Sequence, residues 1–337
     1  MKKWIGLSAL LLALSIMACS PKTETDDTTP TEPQAWEWRQ IANFGGQAQR
    51  GSMTFAIDNA AYVVSGMGNS FVPHNECWKY DASADTWTSK TAFPGTAVIE
   101  GVGFAIAQKG YLCLGSTNGS AGAVNDLWEY DPAADHWTQK SAFPGAARSG
   151  SVALVVNQKV YILAGSSSLG SEKDVWEYDP AAGHWTKKGD FPGAGRFLPA
   201  GFVIGGKGYV GTGVLGGPPF IAANDFWEYD PAGDTWTRKA DFPGTARGYA
   251  LGFSVNGRGY VGMGMTNIDS TGTNMTLSKE IWEYDPAGNS WVARGECAGQ
   301  ARVMAVGFVI GSYLYIGSGN NASGQNLRDF WRMRPTQ

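Results

Sequence analysis

Residues 126–150, DLWEYDPAADHWTQKSAFPGAARSG, decide the fold. Close copies begin near Glu76, Asp174, Asp225 and Glu280. One tryptophan recurs at Trp78, Trp128, Trp176, Trp227, Trp282 and, in a worn copy, Trp331, with successive differences of 50, 48, 51, 55 and 49 residues. A second follows 9 residues after each of the first five: Trp87, Trp137, Trp185, Trp236 and Trp291. Trp38 lies 49 residues before Trp87 and holds the same place without a preceding YD pair. A period in this range marks a repeat architecture, each unit burying its face against the next. The chain starts and stops part-way through a unit, so six units result only if the two ends combine.

Each unit reads as four short strands. LWEYD (127–131) carries large residues suited to a pleated surface. PAAD then supplies Pro and Asp in turn roles, and HWTQK (136–140) is the next strand. FPGAA leads to Arg148 and the apolar run VALVV (152–156), and after NQK comes VYILAG (160–165). With 46 glycines and no sustained helical periodicity, the pattern is all-β. Four strands per unit and six units select a six-bladed propeller. An unpaired seam would leave a sheet edge, so Trp38–Ile41 is expected to complete the blade made by residues 302–334.

The repeat resembles the kelch family. The matching features are Tyr130 and Trp137 with 6 residues between them, the apolar run ending in glycine (161–165), and the arginine before the next apolar strand. The resemblance runs from about Trp36 to the C-terminus. One glycine is constant, four residues past a tyrosine, at Gly66, Gly115, Gly165, Gly213, Gly264 and Gly319, where kelch repeats usually carry a glycine pair. The expected architecture is therefore a six-bladed kelch-type β-propeller over residues 36–337, expected to be a monomer.

Residues 1–18 read as a leader: Lys2 and Lys3, then an apolar stretch from about Trp4 to Leu14, too short to span a bilayer. Ile16-Met17-Ala18-Cys19 resembles a bacterial lipobox, which implies a lipidated Cys19. Residues 19–35 are Pro/Thr-rich and acidic and read as a disordered tether. The expected location is the outer membrane, on the cell surface or the periplasmic side, with membrane contact through the lipid alone.

Net charge is −4, pI is about 5.5 and no basic tract appears, which argues against a nucleic-acid partner. Besides Cys19 there are Cys77, Cys113 and Cys297; Cys77 holds the slot of Leu127 and Cys297 that of Phe143, both core slots. A disulfide between exported cysteines stays open. The 3 histidines, His74, His136 and His184, form no metal set, so no metal or cofactor is expected. Some copper oxidases share a kelch propeller, but their paired histidines and modified tyrosine have no place here. No GxSxG elbow or phosphate loop appears.

Residues present in every copy read as packing, and the repeat tryptophans are of this kind. An acid sits two before the first tryptophan in every unit, and Arg148, Arg196, Arg247 and Arg302 share one register. Val98 replaces the arginine in unit two, and Arg50 is displaced by one in unit one. Both sets fall on one propeller face, where the arginines can form a ring of pairs with the acids or bond to loop carbonyls, or converge as a cationic funnel for an anionic ligand. Departures from the repeat carry more. Glu100 lies two beyond Val98, where other units have Gly150, Leu198, Tyr249 and Met304. On an inner strand, residues two apart share a face, which is expected to place Glu100 and Tyr249 at the channel mouth beside the arginines. Glu100 is the candidate acid–base group; equally, it can neutralise an arginine. Loops between the constant glycine and the next tryptophan vary most, above all residues 265–280 and 215–220. The expected function is a binding or scaffold module taking a glycan or protein on this face. The alternative resembles the kelch-type sialic acid mutarotases, where Glu100 would work as acid and base and an arginine would hold the carboxylate.

Overall fold

The computed structural model describes Met1 and residues 36–117, 121–216, 219–269 and 275–335. The chain divides into two units, Met1–Gln34 and Ala35–Gln337. The leader, Cys19 and the tether lie outside the described residues.

The second unit holds six four-stranded antiparallel sheets. Their innermost strands are Met53–Ile57, Val102–Ile106, Val152–Val156, Ala200–Ile204, Leu251–Val255 and Val306–Ile310, which number blades one to six. Each inner strand touches the next, and blade six returns to blade one, so the ring is closed. The expected seam is observed. Trp38–Ile41 pairs antiparallel with Phe330–Met333 as the outer strand of blade six, Trp38 opposite Met333 and Ile41 opposite Phe330.

The alternation of each inner strand explains its place. In VALVV, Val152, Leu154 and Val156 are buried, while Ala153 and Val155 are half-buried and face the axis. The second strands bury nearly every residue because they lie between blades, and the fourth strands are mostly exposed. The core is accordingly six separate layers, one per blade–blade interface. Phe55 and Tyr62 of blade one pack on Tyr130 and Trp137 of blade two, and Phe308, Tyr315 and Phe330 of blade six close on Tyr80 of blade one. At the axis the backbones come close enough to require glycine: a Cβ on Gly252 would lie 2.4 Å from the Gly201 carbonyl oxygen.

Repeated polar groups stitch the blades. In blades one, two, three and five the second tryptophan donates to the blade before it, as in Trp137 Nε1 to the Thr91 carbonyl at 3.0 Å and Trp185 to Ser141 at 3.0 Å. The carboxylate of Asp135 accepts both from the Tyr130 hydroxyl (2.5 Å) and from the Thr91 amide of blade one (3.1 Å). The first tryptophan donates to the acid two before it in blades one, three, four and six. Both tryptophan series are thus structural. The constant glycine, with φ of +107° at Gly165 and +91° at Gly264, turns the chain out of the second strand. Cys77, Cys113 and Cys297 are free and buried, and burial pushes the Cys77 thiol up to about 12.

Candidate functional site

The expected inner strand running on from the arginine is not what forms. Arg148–Ser149, Arg196–Phe197 and Arg247–Gly248 are separate two-residue strands, paired with Ser166–Ser167, Val214–Leu215 and Met265–Thr266 in small ribbons on one rim. Between ribbon and inner strand sits one residue in the left-handed region: Gly51, Glu100, Gly150, Leu198, Tyr249 and Met304, with φ from 53° to 70°. That residue reverses the side-chain direction. The arginine and the residue two beyond it therefore do not share a face.

The arginines go inward. Arg148, Arg196, Arg247 and Arg302 are at most 1% exposed. Arg148 grips both oxygens of Asp174 (2.5 and 3.0 Å), donates to the Ala146 and Ala164 carbonyls (2.9 and 3.3 Å), and stacks on Phe143 at 5.0 Å. Arg196 does the same with Asp225 at 2.7 and 2.8 Å. Arg247 holds Glu280 and Arg302 holds Asp329, each at 2.6 Å. Burial acts to raise the Asp174 carboxyl, but the Arg148 hydrogen bond and charge and the Trp176 N–H outweigh it and hold it below the usual range. The funnel is corrected by this geometry: these guanidiniums are blade-internal and reach no ligand surface. In blade one the slot is filled by Gln49, whose Nε2 donates to the Ser65 carbonyl (3.1 Å), the counterpart of the arginine-to-carbonyl bonds elsewhere.

The six left-handed residues form a collar around the axis. Five of the six amides donate to the carbonyl of the preceding blade's collar residue: Glu100 to Gly51 (2.9 Å), Gly150 to Glu100 (2.8 Å), Leu198 to Gly150 (2.6 Å), Tyr249 to Leu198 (3.2 Å) and Gly51 to Met304 (2.9 Å). A non-glycine residue at such φ is strained, and the collar's hydrogen bonds hold it there. Blades two and five are opposite in a ring of six. The Tyr249 hydroxyl nevertheless donates to Glu100 Oε1, so this bond crosses the mouth of the channel. Ser149 Oγ donates to Glu100 Oε2 at 3.4 Å. Glu100 is flanked in the collar by Gly51 and Gly150, Tyr249 by Leu198 and Met304. The cavity they line measures about 170 Å³. Burial raises the Glu100 carboxyl, against the hydrogen bonds from Tyr249 and Ser149 and the charge of Arg50. Burial and the adjacent carboxylate push the Tyr249 phenol well above its ordinary value. Below the mouth, the lumen is lined by residues such as Ala105, Ala153, Gly252 and Ser254 and carries no charge among the described residues.

The family model of the kelch motif matches residues 147–192, which is the third blade with its arginine. A solved structure, that of YjhT, superposes over 86% of this chain and 95% of its own at a TM-score of 0.73 and 19% identity. The fold is that of a β-propeller whose third blade carries a kelch motif. No curated protein matches the sequence.

On this propeller the residue that the sequence showed as displaced, without assigning it a role, is Arg50. It occupies the position after the arginine slot, so its side chain stands on the rim instead of inside the blade. Nη1 donates to Asn326 Oδ1 of blade six at 3.1 Å, and the guanidinium stacks on Phe71 at 5.0 Å. Among the described residues no carboxylate lies within ion-pair distance of it, yet its charge is felt at both Glu100 and Tyr249. The signal was present: Gln49 in the slot frees the next residue to face outward. No cluster of three or more metal-ligating side chains occurs among the described residues.

Proposed function

We propose that this kelch propeller is an exported binding module, held at a membrane through Cys19, which receives a glycan or protein group at the channel mouth. The observation that carries this reading is the Glu100–Tyr249 hydrogen bond across the collar. It is polar, recurs in no other pair of blades, and sits in a cavity where the collar residues flanking Glu100 are glycines. Arg50 adds a positive charge beside it, suited to an anionic group. Isothermal titration with anionic oligosaccharides tests the reading: Glu100→Gln or Tyr249→Phe should change affinity, whereas equal affinity in wild type and both variants counts against the mouth as the site. For the anchor, Cys19→Ser should release the protein from the membrane fraction; retention there contradicts it.

The second reading is a sugar epimerase of the mutarotase kind. It is favoured by the hydrogen bond between Glu100 and Tyr249 in a buried site where burial raises the carboxyl, which suits a group that both takes and gives a proton. Interconversion of sugar anomers needs a proton removed from one oxygen and delivered to another. Glu100, already hydrogen-bonded to a phenol, would exchange both. Anomer exchange of sialic acid followed by NMR separates the readings. Glu100→Gln abolishes accelerated exchange if the protein is an enzyme, and no acceleration by wild type leaves the binding module.

A further inference from the structure

A second cavity, about 480 Å³, lies on the same rim over blades four to six. It shares Tyr249 and Met304 with the channel mouth, so the two meet there. Its volume falls within the roughly 300–1,000 Å³ of small-molecule sites. The walls come from ribbon and loop positions that the repeat does not dictate. Phe197 replaces the serine of blade three, and Met265 stands where that blade has Ser166. Phe197 meets Phe220 edge to face at 6.4 Å. Ile268 and Met275 of blade five complete the wall.

One polar group interrupts this wall. Asn320 lines the cavity, and its Oδ1 is buried with no hydrogen-bond donor. A buried acceptor without a donor is costly unless a ligand supplies one. Asn320 pairs through its backbone with Asn326, the residue that holds Arg50. The rim therefore presents, in order around the ring, an apolar pocket, an unpaired acceptor and a cation.

We propose that this pocket takes the ring of a small aromatic acid, whose ring N–H or O–H donates to Asn320 and whose carboxylate faces Arg50. An aliphatic chain would fill the pocket but has no donor to give, whereas an indole or phenol does. Flexible methionines and two phenyl edges suit a flat ring. The proposal rests on the reading of this rim as the ligand face and adds the chemical class it accepts.

The probes are indole-3-acetate, its N-methyl derivative, neutral 3-methylindole and cyclohexaneacetate, titrated calorimetrically into the full chain. Indole-3-acetate should bind at least tenfold more tightly than each of the other three. Asn320→Leu should remove the preference over the N-methyl compound, and Arg50→Met the preference over 3-methylindole. Cyclohexaneacetate binding as tightly as indole-3-acetate, or both preferences surviving in the variants, overturns the proposal. Should Asn320→Leu fail to fold, Arg50→Met alone decides it. No binding of the aromatic acid while an anionic sugar responds to Glu100→Gln removes this inference and leaves the mouth reading standing. Aromatic-acid binding with no response of any sugar to Glu100→Gln supports the pocket and removes the mouth reading.

Discussion

Arg196 and Glu100 lie in corresponding repeated segments, two positions apart in register, yet the ring treats them oppositely. Arg196 is fully enclosed, chelates Asp225 and repeats in four of the blades. Glu100 stands in the collar, touches a tyrosine from the opposite blade and occurs once. A charge that recurs has a partner supplied by the same repeat, so it is satisfied inside the blade. A charge that occurs once must find its partner elsewhere, here across the axis. The comparison teaches where specificity resides on a repeat protein: at positions the repeat leaves undetermined, turned toward the space all blades share.

Removing residues 36–44 should do the most damage, because it attacks what both regions depend on. It strips the outer strand of blade six together with Ile41 and Phe44, which are 6% and 0% exposed, and the packing of Trp36 and Trp38. At roughly 1.5–3 kcal/mol per large apolar side chain, the loss exceeds about 5 kcal/mol. Urea unfolding should show no native baseline; an unchanged midpoint would show that closure is dispensable. Next in size is Arg196→Ala, which leaves Asp225 beside an emptied slot. Breaking a buried pair costs about 3–5 kcal/mol, and the partial exposure of Asp225 points to the lower end. A urea midpoint close to wild type would return the arginines to the ligand face.

The pH dependence sharpens the contrast, because the two regions have opposite signs. Asp174, Asp225 and Asp329 are held below their ordinary value of 3.8, so their contribution is present above it and is lost as pH falls through the lower folded value. Glu100 is raised above 4.5, so its contribution is complete below 4.5 and is lost as pH rises through the folded value. Glu100→Gln, which can still accept from Tyr249, should match or exceed wild type at pH 7. That advantage should vanish by pH 4. An advantage independent of pH would show that Glu100 ionises normally. The smallest effect belongs to the stitching: Asp135→Ala removes two hydrogen bonds on the exposed side of blade two and should cost about 1 kcal/mol. Thermal melting checks it.

The ring was legible because two tryptophans mark every blade, and each mark is a packing requirement felt by its neighbours. Trp38 without its YD pair announced the seam for the same reason. The site was half legible. Glu100 and Tyr249 stood out as departures from a shared slot, and the structure brings them together. The inward turn of the arginines was not legible, because it depends on a left-handed residue that is non-glycine in four of the six blades. Glu100, Leu198, Tyr249 and Met304 look like strand residues, and only Gly51 and Gly150 hint at the turn. The displacement of Arg50 was visible but its consequence was not: a shift of one residue moves a side chain from the blade interior to the rim.

The division between repeated and unrepeated charge is tested most directly by thermal melting at pH 7 of wild type, Arg196→Ala and Glu100→Gln side by side. The predicted result is a melting temperature lowered by several degrees for Arg196→Ala and held or raised for Glu100→Gln. The reverse order, with the arginine variant melting like wild type and the glutamine variant collapsing, would contradict it.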